Sequence, residues 1–238
     1  MIRKFIHYCD MARCYAHKYY WHLVSHFGRV QGIVLMYHYI TNEYVDIRPG
    51  CKHTPRVFEE TLLRLKSEGY IFVSIDEMME IVKSKGTKKF AVITFDDIMD
   101  NVYTNAYPIL KKHNLPFALF VATTFIDRGD GVSTIHLKEM AADTLCTIGA
   151  HSVTHCNLRK CDNAMEEIIE SKFILEKKIG RSIDYFAYPY GKHEHVSRKV
   201  MQQAKAAGYK CAFGTIQAPI SEASTKNMFY LPRMVLNA

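Results

Sequence analysis

The spacing of hydrophobic residues changes near residue 32. Before it, Ile2, Phe5, Ile6, Cys9, Ala12, Ala16, Tyr19, Leu23 and Phe27 recur at three- and four-residue steps, the spacing of one helix face. This predicts a helix over 2–27, so that 1–31 forms an amphipathic N-terminal helical segment. After Gly32 the apolar residues come in short runs instead. Strands are predicted at Ile33–Tyr37, Ile71–Ile75, Phe90–Phe95, Phe117–Ala122, Thr147–Ala150, Tyr185–Ala187 and Lys210–Gly214. Helix patterns separate most of them. One starts at the Thr54 cap with Pro55 in its first turn, runs to Lys66 and stops by Gly69. Asp76 caps another to about Lys85, and others cover 101–113, 162–179 and 194–207. Short buried strands alternating with helices imply parallel βα units. The expectation is an α/β fold with one barrel-like domain over 32–238.

Composition narrows the class of protein further. With 48% hydrophobic and 23% charged residues, disorder, collagen-like repeats and low complexity are excluded. No apolar run approaches the roughly 18 residues that span a bilayer. The seven cysteines are odd in number and irregularly spaced, which fits a reducing compartment better than a disulfide framework. Of the net charge of +7, +4 falls in residues 1–30, where Arg3, Lys4, Arg13, Lys18 and Arg29 face only Asp10. The rest is too weakly basic for a nucleic-acid footprint, and no nucleic-acid partner is expected. Residues 1–30 lack the apolar core of a secretory signal, so a cytoplasmic location is expected. Their basic and aromatic residues suit docking on a protein surface, or peripheral contact with the inner membrane surface.

Three motifs carry candidate chemistry. Asp96 and Asp97 end the run Ala91-Val92-Ile93-Thr94-Phe95, and strand ends are where parallel α/β folds gather functional groups. Adjacent carboxylates repel unless a cation or hydrogen bonds take up the charge. One could hold a metal while the other stays free as a base, or the pair could cap the helix that follows. His151 and His155, four apart after Thr147–Ala150, have a workable metal-ligand spacing. With one carboxylate they would leave coordination positions open, as catalysis requires. Phe186-Ala187-Tyr188-Pro189-Tyr190-Gly191 follows a strand and could form a rigid turn that aims a backbone N–H at an oxyanion, or an ordinary strand-to-helix turn.

On these motifs, TFDD at 94–97, HSVTH at 151–155 and FAYPYG at 186–191, residues 32–238 resemble the polysaccharide deacetylases, the carbohydrate esterases of family four. MYHYI at 36–40, AYPILKKHNLPFALFV at 106–121 and LPR at 231–233 are weaker echoes. The resemblance implies a distorted (β/α) barrel of parallel strands. It also implies a hydrolase of carbon–nitrogen bonds other than peptide bonds, removing acetyl from an N-acetylated sugar. A divalent metal, most often Zn2+, with Co2+, Ni2+ or Fe2+ as alternatives, would be held by Asp97, His151 and His155. Asp96 would be the general base, and the Tyr190 N–H would help hold the oxyanion. The sequence departs from the family at Ile98, where many members have glycine, and at Ala187, where many have an arginine that steers the base. Arg233 is the candidate replacement. The late histidine that often serves as general acid is missing, since none follows His195, and His38 is the candidate in its place. The expected partner is an N-acetylated glycan or a lipid- or nucleotide-linked sugar precursor. Another acylated amine or cyclic amide, or glycan binding by a decayed site, are the alternatives.

Overall fold

The computed structural model describes residues 30–43, 51–84, 89–222 and 224–236, and the helix expected over 2–27 lies outside them. The strands are β1 (Val30–Tyr37), β2 (Tyr39–Ile40), β3 (Lys52–His53), β4 (Ile71–Phe72), β5 (Phe90–Asp97), β6 (Phe117–Val121), β7 (Cys146–Ala150), β8 (Tyr185–Ala187), β9 (Cys211–Phe213) and β10 (Ile220–Ser221). The α-helices are α1 (Pro55–Ser67), α2 (Ile75–Lys83), α3 (Tyr107–Lys112), α4 (Thr134–Ala142), α5 (Ala164–Ile179) and α6 (Arg198–Ala206).

The main sheet runs β10-β1-β5-β6-β7-β8-β9, with β4 also pairing β5. The contacts from β1 through β9 are parallel, with Leu35 opposite Ile93, Phe95 opposite Leu119, Leu119 opposite Ile148 and Phe186 opposite Ala212. The sheet curls, and the chain near its C-terminus spans the gap between β9 and β1. Leu231 bridges Phe213 and Met234 bridges Leu35, both in parallel. Met36 N–H donates to the Met234 carbonyl at 2.9 Å, and Met234 N–H to Val34 at 2.7 Å. Closure by single-residue bridges rather than a full ladder is what distorts the barrel.

Alternation along the strands sorts the side chains. Val34, Phe90, Val92, Ala118, Phe120, Ala187 and Phe213 belong to one buried cluster, which places every second residue of these strands on the inner face. Tyr37, Phe95 and Phe117 fall on the other face, where the Tyr37 and Phe95 rings lie 5.0 and 5.8 Å from Phe58 of α1. The same parity carries Thr94 and Asp96 inward.

Several boundaries differ from the sequence expectation. Ser74, not Asp76, caps α2: it forms a capping box with Glu77, so β4 stops at Phe72. The segment between β6 and β7, where the sequence pattern predicts no helix, contains α4, capped by Ser133. Its pattern is weak because Ile135 is 75% exposed while Leu137, Met140 and Ala141 are buried. The helix expected over 101–113 opens with a π-turn, Val102–Ala106, before α3. Pro108 has no N–H to give to Thr104, and Tyr107 N–H reaches back to Val102 instead. Residues 194–197 precede α6, whose cap is Ser197.

Candidate metal centre and active site

The strand ends at one rim of the barrel carry the candidate residues. β5 ends on Asp96 and Asp97, and the alternative helix-capping role for the pair is absent because helical backbone begins only at Asp100. Asp97 and Ile98 both have φ of 65°, and Ile98 N–H donates to the Asp96 carbonyl at 2.7 Å. Left-handed backbone costs a β-branched residue about 1–3 kcal/mol, which is why glycine suits this turn. Here Ile98 is fully buried, and its carbonyl accepts from Val132 N–H at 3.1 Å. Asp97 is the last residue of β5 in register, opposite Val121, and the turn follows directly, while Asp96 stays inside.

His151 follows β7 and is 2% exposed. Its Nδ1 lies 2.7 Å from the Ala187 carbonyl, an acceptor only, so Nδ1 carries the proton and Nε2 keeps a lone pair. That Nε2 lies 3.5 Å from Asp97 Oδ1, and His155 Nε2 lies 3.1 Å from the same oxygen. One ligand atom from each of the three residues falls within 4.8 Å of the others. Although His155 is at ion-pair distance, buried Asp97 Oδ1 accepts no well-aligned hydrogen bond. Burial pushes His151 down to about 4, so this ring is neutral near pH 7 and offers no counter-charge of its own. Burial resists ionisation of Asp97, but the neighbouring His155 and His151 rings hold its carboxyl well below the usual range. An orphaned carboxylate oxygen facing imidazole lone pairs is a donor set that fits a divalent cation.

Asp96 has a different partner. It is 2% exposed and receives a bidentate pair from Arg233, Nη1 to Oδ1 and Nη2 to Oδ2, both at 2.6 Å. Arg233 is fully buried, donates Nε–H to the Gly214 carbonyl at 2.9 Å, and lies 5.5 Å from the Phe120 ring centre. Burial, the largest single influence, would raise the Asp96 carboxyl, but the charge and hydrogen bonds of Arg233 together with nearby His151 and His38 keep the group below its ordinary value.

His38 follows β1 on the parity of Val34, and pairing of β2 with β3 brings Cys51 beside it. Burial disfavours the charged ring, but the Cys51 thiol, Asp96 and Asp97 together carry it above the ordinary imidazole value. Its Nδ1 is buried and unpartnered. The adjacent strand is pinned from the π-turn: Ile40 N–H donates to Asn101 Oδ1 at 2.9 Å, and Asn105 Nδ2 donates to the Ile40 carbonyl at 2.7 Å. Tyr190 has φ of 62°, and its ring lies 4.9 Å from His155 and 5.2 Å from His195. Its N–H has no protein acceptor among the described residues. His193 and His195 sit on this same loop, beside Tyr230 and Tyr190 respectively.

Sequence reasoning missed the Ala187 carbonyl and the Asn101–Asn105 pair. Each works through peptide groups, and no residue spacing marks a backbone partner.

The polysaccharide deacetylase family model matches residues 83–212. Poly-beta-1,6-N-acetyl-D-glucosamine N-deacetylase from Staphylococcus aureus strain NCTC 8325 is 29% identical over 196 residues, covering 76% of this chain and 66% of that protein. The chain thus spans just under two thirds of the length of this relative. Among solved structures, the polysaccharide deacetylase BC0361 from Bacillus cereus is 27% identical with a TM-score of 0.75, covering 85% of this chain and 64% of that one. The Streptococcus pyogenes deacetylase PplD, solved with acetate, is 28% identical with a TM-score of 0.73, covering 85% of this chain and 90% of that one. With a family model matched over more than half its length, and with these likenesses in fold, the chain belongs to the polysaccharide deacetylase family.

Proposed function

We propose that the protein is a metal-dependent hydrolase that removes the acetyl group from an N-acetylated sugar in a glycan or glycan precursor. One observation supports this above the rest: a buried, unpartnered Asp97 oxygen faces two imidazoles, beside a second carboxylate kept ionised by Arg233. Asp97, His151 and His155 would hold the cation, with Zn2+ the first choice. When bound, it supplies Lewis acidity toward the amide carbonyl and toward water. Asp96 has no place in the ligand cluster and is oriented by Arg233, so it accepts the proton from the attacking water. The Tyr190 N–H, which has no protein acceptor among the described residues, would help hold the oxyanion. His38, on the β1 side of the rim, gives the leaving amine its proton. Retention of the ion-paired Asp96 argues against a decayed, purely glycan-binding site. The name of the staphylococcal relative favours a polymer of N-acetylglucosamine, and residues 1–31 would then serve location or association, including contact with a membrane surface. Among the described residues no helix is long and apolar enough to cross a membrane.

Metal analysis and acetate release from N-acetylglucosamine oligomers test the reading together. The wild-type protein should carry one divalent ion per chain. The His151→Ala, His155→Ala double variant should carry none and release no acetate. Stoichiometric metal in the double variant would place the ion elsewhere. Acetate released from other acylated amines but from no sugar would change the substrate class.

The role of His38 is separable by leaving group. An amine anion is too basic to depart, so it needs a proton as the C–N bond breaks, whereas an aryl acetate loses a stable phenolate. His38→Ala should lower kcat about 100-fold on the acetamide, within the usual range for acid catalysis, and much less on the aryl ester. Equal losses on the two substrates would make His38 a structural residue.

A further inference from the structure

Helix α5 begins one loop after the two candidate ligand histidines, and Glu167 in its first turns points inward, only 6% exposed. Its Oε2 accepts from Val153 N–H and Thr154 N–H, both at 2.9 Å, and its Oε1 accepts from the Thr154 hydroxyl at 2.8 Å. One buried carboxylate therefore ties down the peptide that lies between His151 and His155. That peptide needs a tie. Ser152 and His155 hold φ of 64° and 57°, a region that side-chain-bearing residues rarely adopt. The loop is also held from the β6 side, where Thr123 N–H donates to the Ser152 carbonyl at 3.2 Å and Thr124 N–H and hydroxyl donate to the Val153 carbonyl at 3.0 and 2.9 Å. His155 N–H donates to the Ser152 hydroxyl at 3.0 Å, but the amide of Thr154, next to His155, is taken by Glu167. Released from Glu167, the loop would relax toward ordinary backbone angles, and His155 Nε2 would swing away from Asp97.

We propose that Glu167 is a positioning residue that sets the metal affinity of the centre by holding the 152–155 loop, left-handed at Ser152 and His155, in place. It rests on the reading of Asp97, His151 and His155 as ligands, but not on any substrate. A helix carboxylate that accepts only from backbone and a neighbouring hydroxyl contributes no ligand atom. Its effect must appear in where the ligands stand. Loss of partners that orient ligands commonly weakens metal binding by about 10- to 100-fold.

The test is a competition titration of the full chain with Co2+ and a chelator, read by the visible absorption of the bound ion. That absorption reports the arrangement of ligands. Wild-type protein that takes up no Co2+ would sink the ligand reading itself, before any variant is compared. Glu167→Ala should bind Co2+ about 10- to 100-fold more weakly, with an altered spectrum. Glu167→Gln keeps the volume and an acceptor but loses the charge that strengthens such bonds, and should weaken binding several-fold. It carries the test if the alanine variant does not fold. A folded Glu167→Ala or Glu167→Gln protein with wild-type Co2+ affinity and spectrum would overturn the proposal, whatever its melting temperature, because a carboxylate that only stabilised the fold would leave both readouts unchanged.

Discussion

Asp96→Asn is expected to lower kcat for acetate release by about 100- to 10,000-fold, the range for loss of a general base, with the metal retained. Asparagine matches the carboxylate in size but cannot take a proton from water. The structure adds a second effect. Arg233 is fully buried and both of its terminal nitrogens donate to Asp96. Asparagine offers one oxygen and turns an NH2 toward the other nitrogen, leaving a buried guanidinium without its counter-charge. Breaking a buried pair in this way costs about 3–5 kcal/mol. The variant should thus melt earlier as well as turn over more slowly, and kcat must be read well below its transition. Full metal occupancy with near-normal acetate release by Asp96→Asn would move the base to another group.

Arg233→Met should produce a comparable stability loss, about 3–5 kcal/mol, with a distinctive pH dependence. In the wild-type fold Asp96 titrates below its ordinary value of 3.8. The ion pair therefore contributes stability that is present above that pH and fades as pH falls through the depressed folded value. Without Arg233, burial loses its largest opposing influence, and the Asp96 carboxyl is expected to rise above its unfolded value. The variant then loses stability as pH rises through the carboxylate range, because a buried charge must form without its partner. The gap between the two proteins should be widest near pH 7 and narrow toward pH 4. Urea unfolding in the presence of chelator, which removes any contribution from bound metal, measures this directly. A gap of equal size at both pH values would mean that Arg233 acts through packing on Phe120 rather than through Asp96. Activity should fall too, since Asp96 loses the two bonds that orient it.

The sequence by itself determined the order of β1 and β4 to β9, though not the short β2, β3 and β10, the parallel α/β architecture and the three motifs at strand ends, while the choice of Asp97, His151 and His155 as ligands came from the family resemblance. Strand runs and motifs are local. Buried parallel strands must be apolar on both faces, so they appear as runs, and ligands set at strand ends follow those runs directly. Alternation from Val92 through Thr94 to Asp96 even carries the information that Asp96 faces inward. The tertiary structure alone decided how the carboxylates divide their work. Arg233 lies 137 residues from Asp96 and reaches it only because Leu231 and Met234 bridge the outer strands and bring their segment inside the barrel. No helical or strand period spans that distance; the family likeness suggested Arg233, but its bidentate geometry had to be seen. The amphipathic α4 was hidden because Ile135 faces outward, against the pattern of its own helix. Glu167 looked like one more acid near a helix start, where such residues are common. Its three partners are two amides and a hydroxyl on another loop, and peptide groups are the same at every residue, so only their placement in space could single it out.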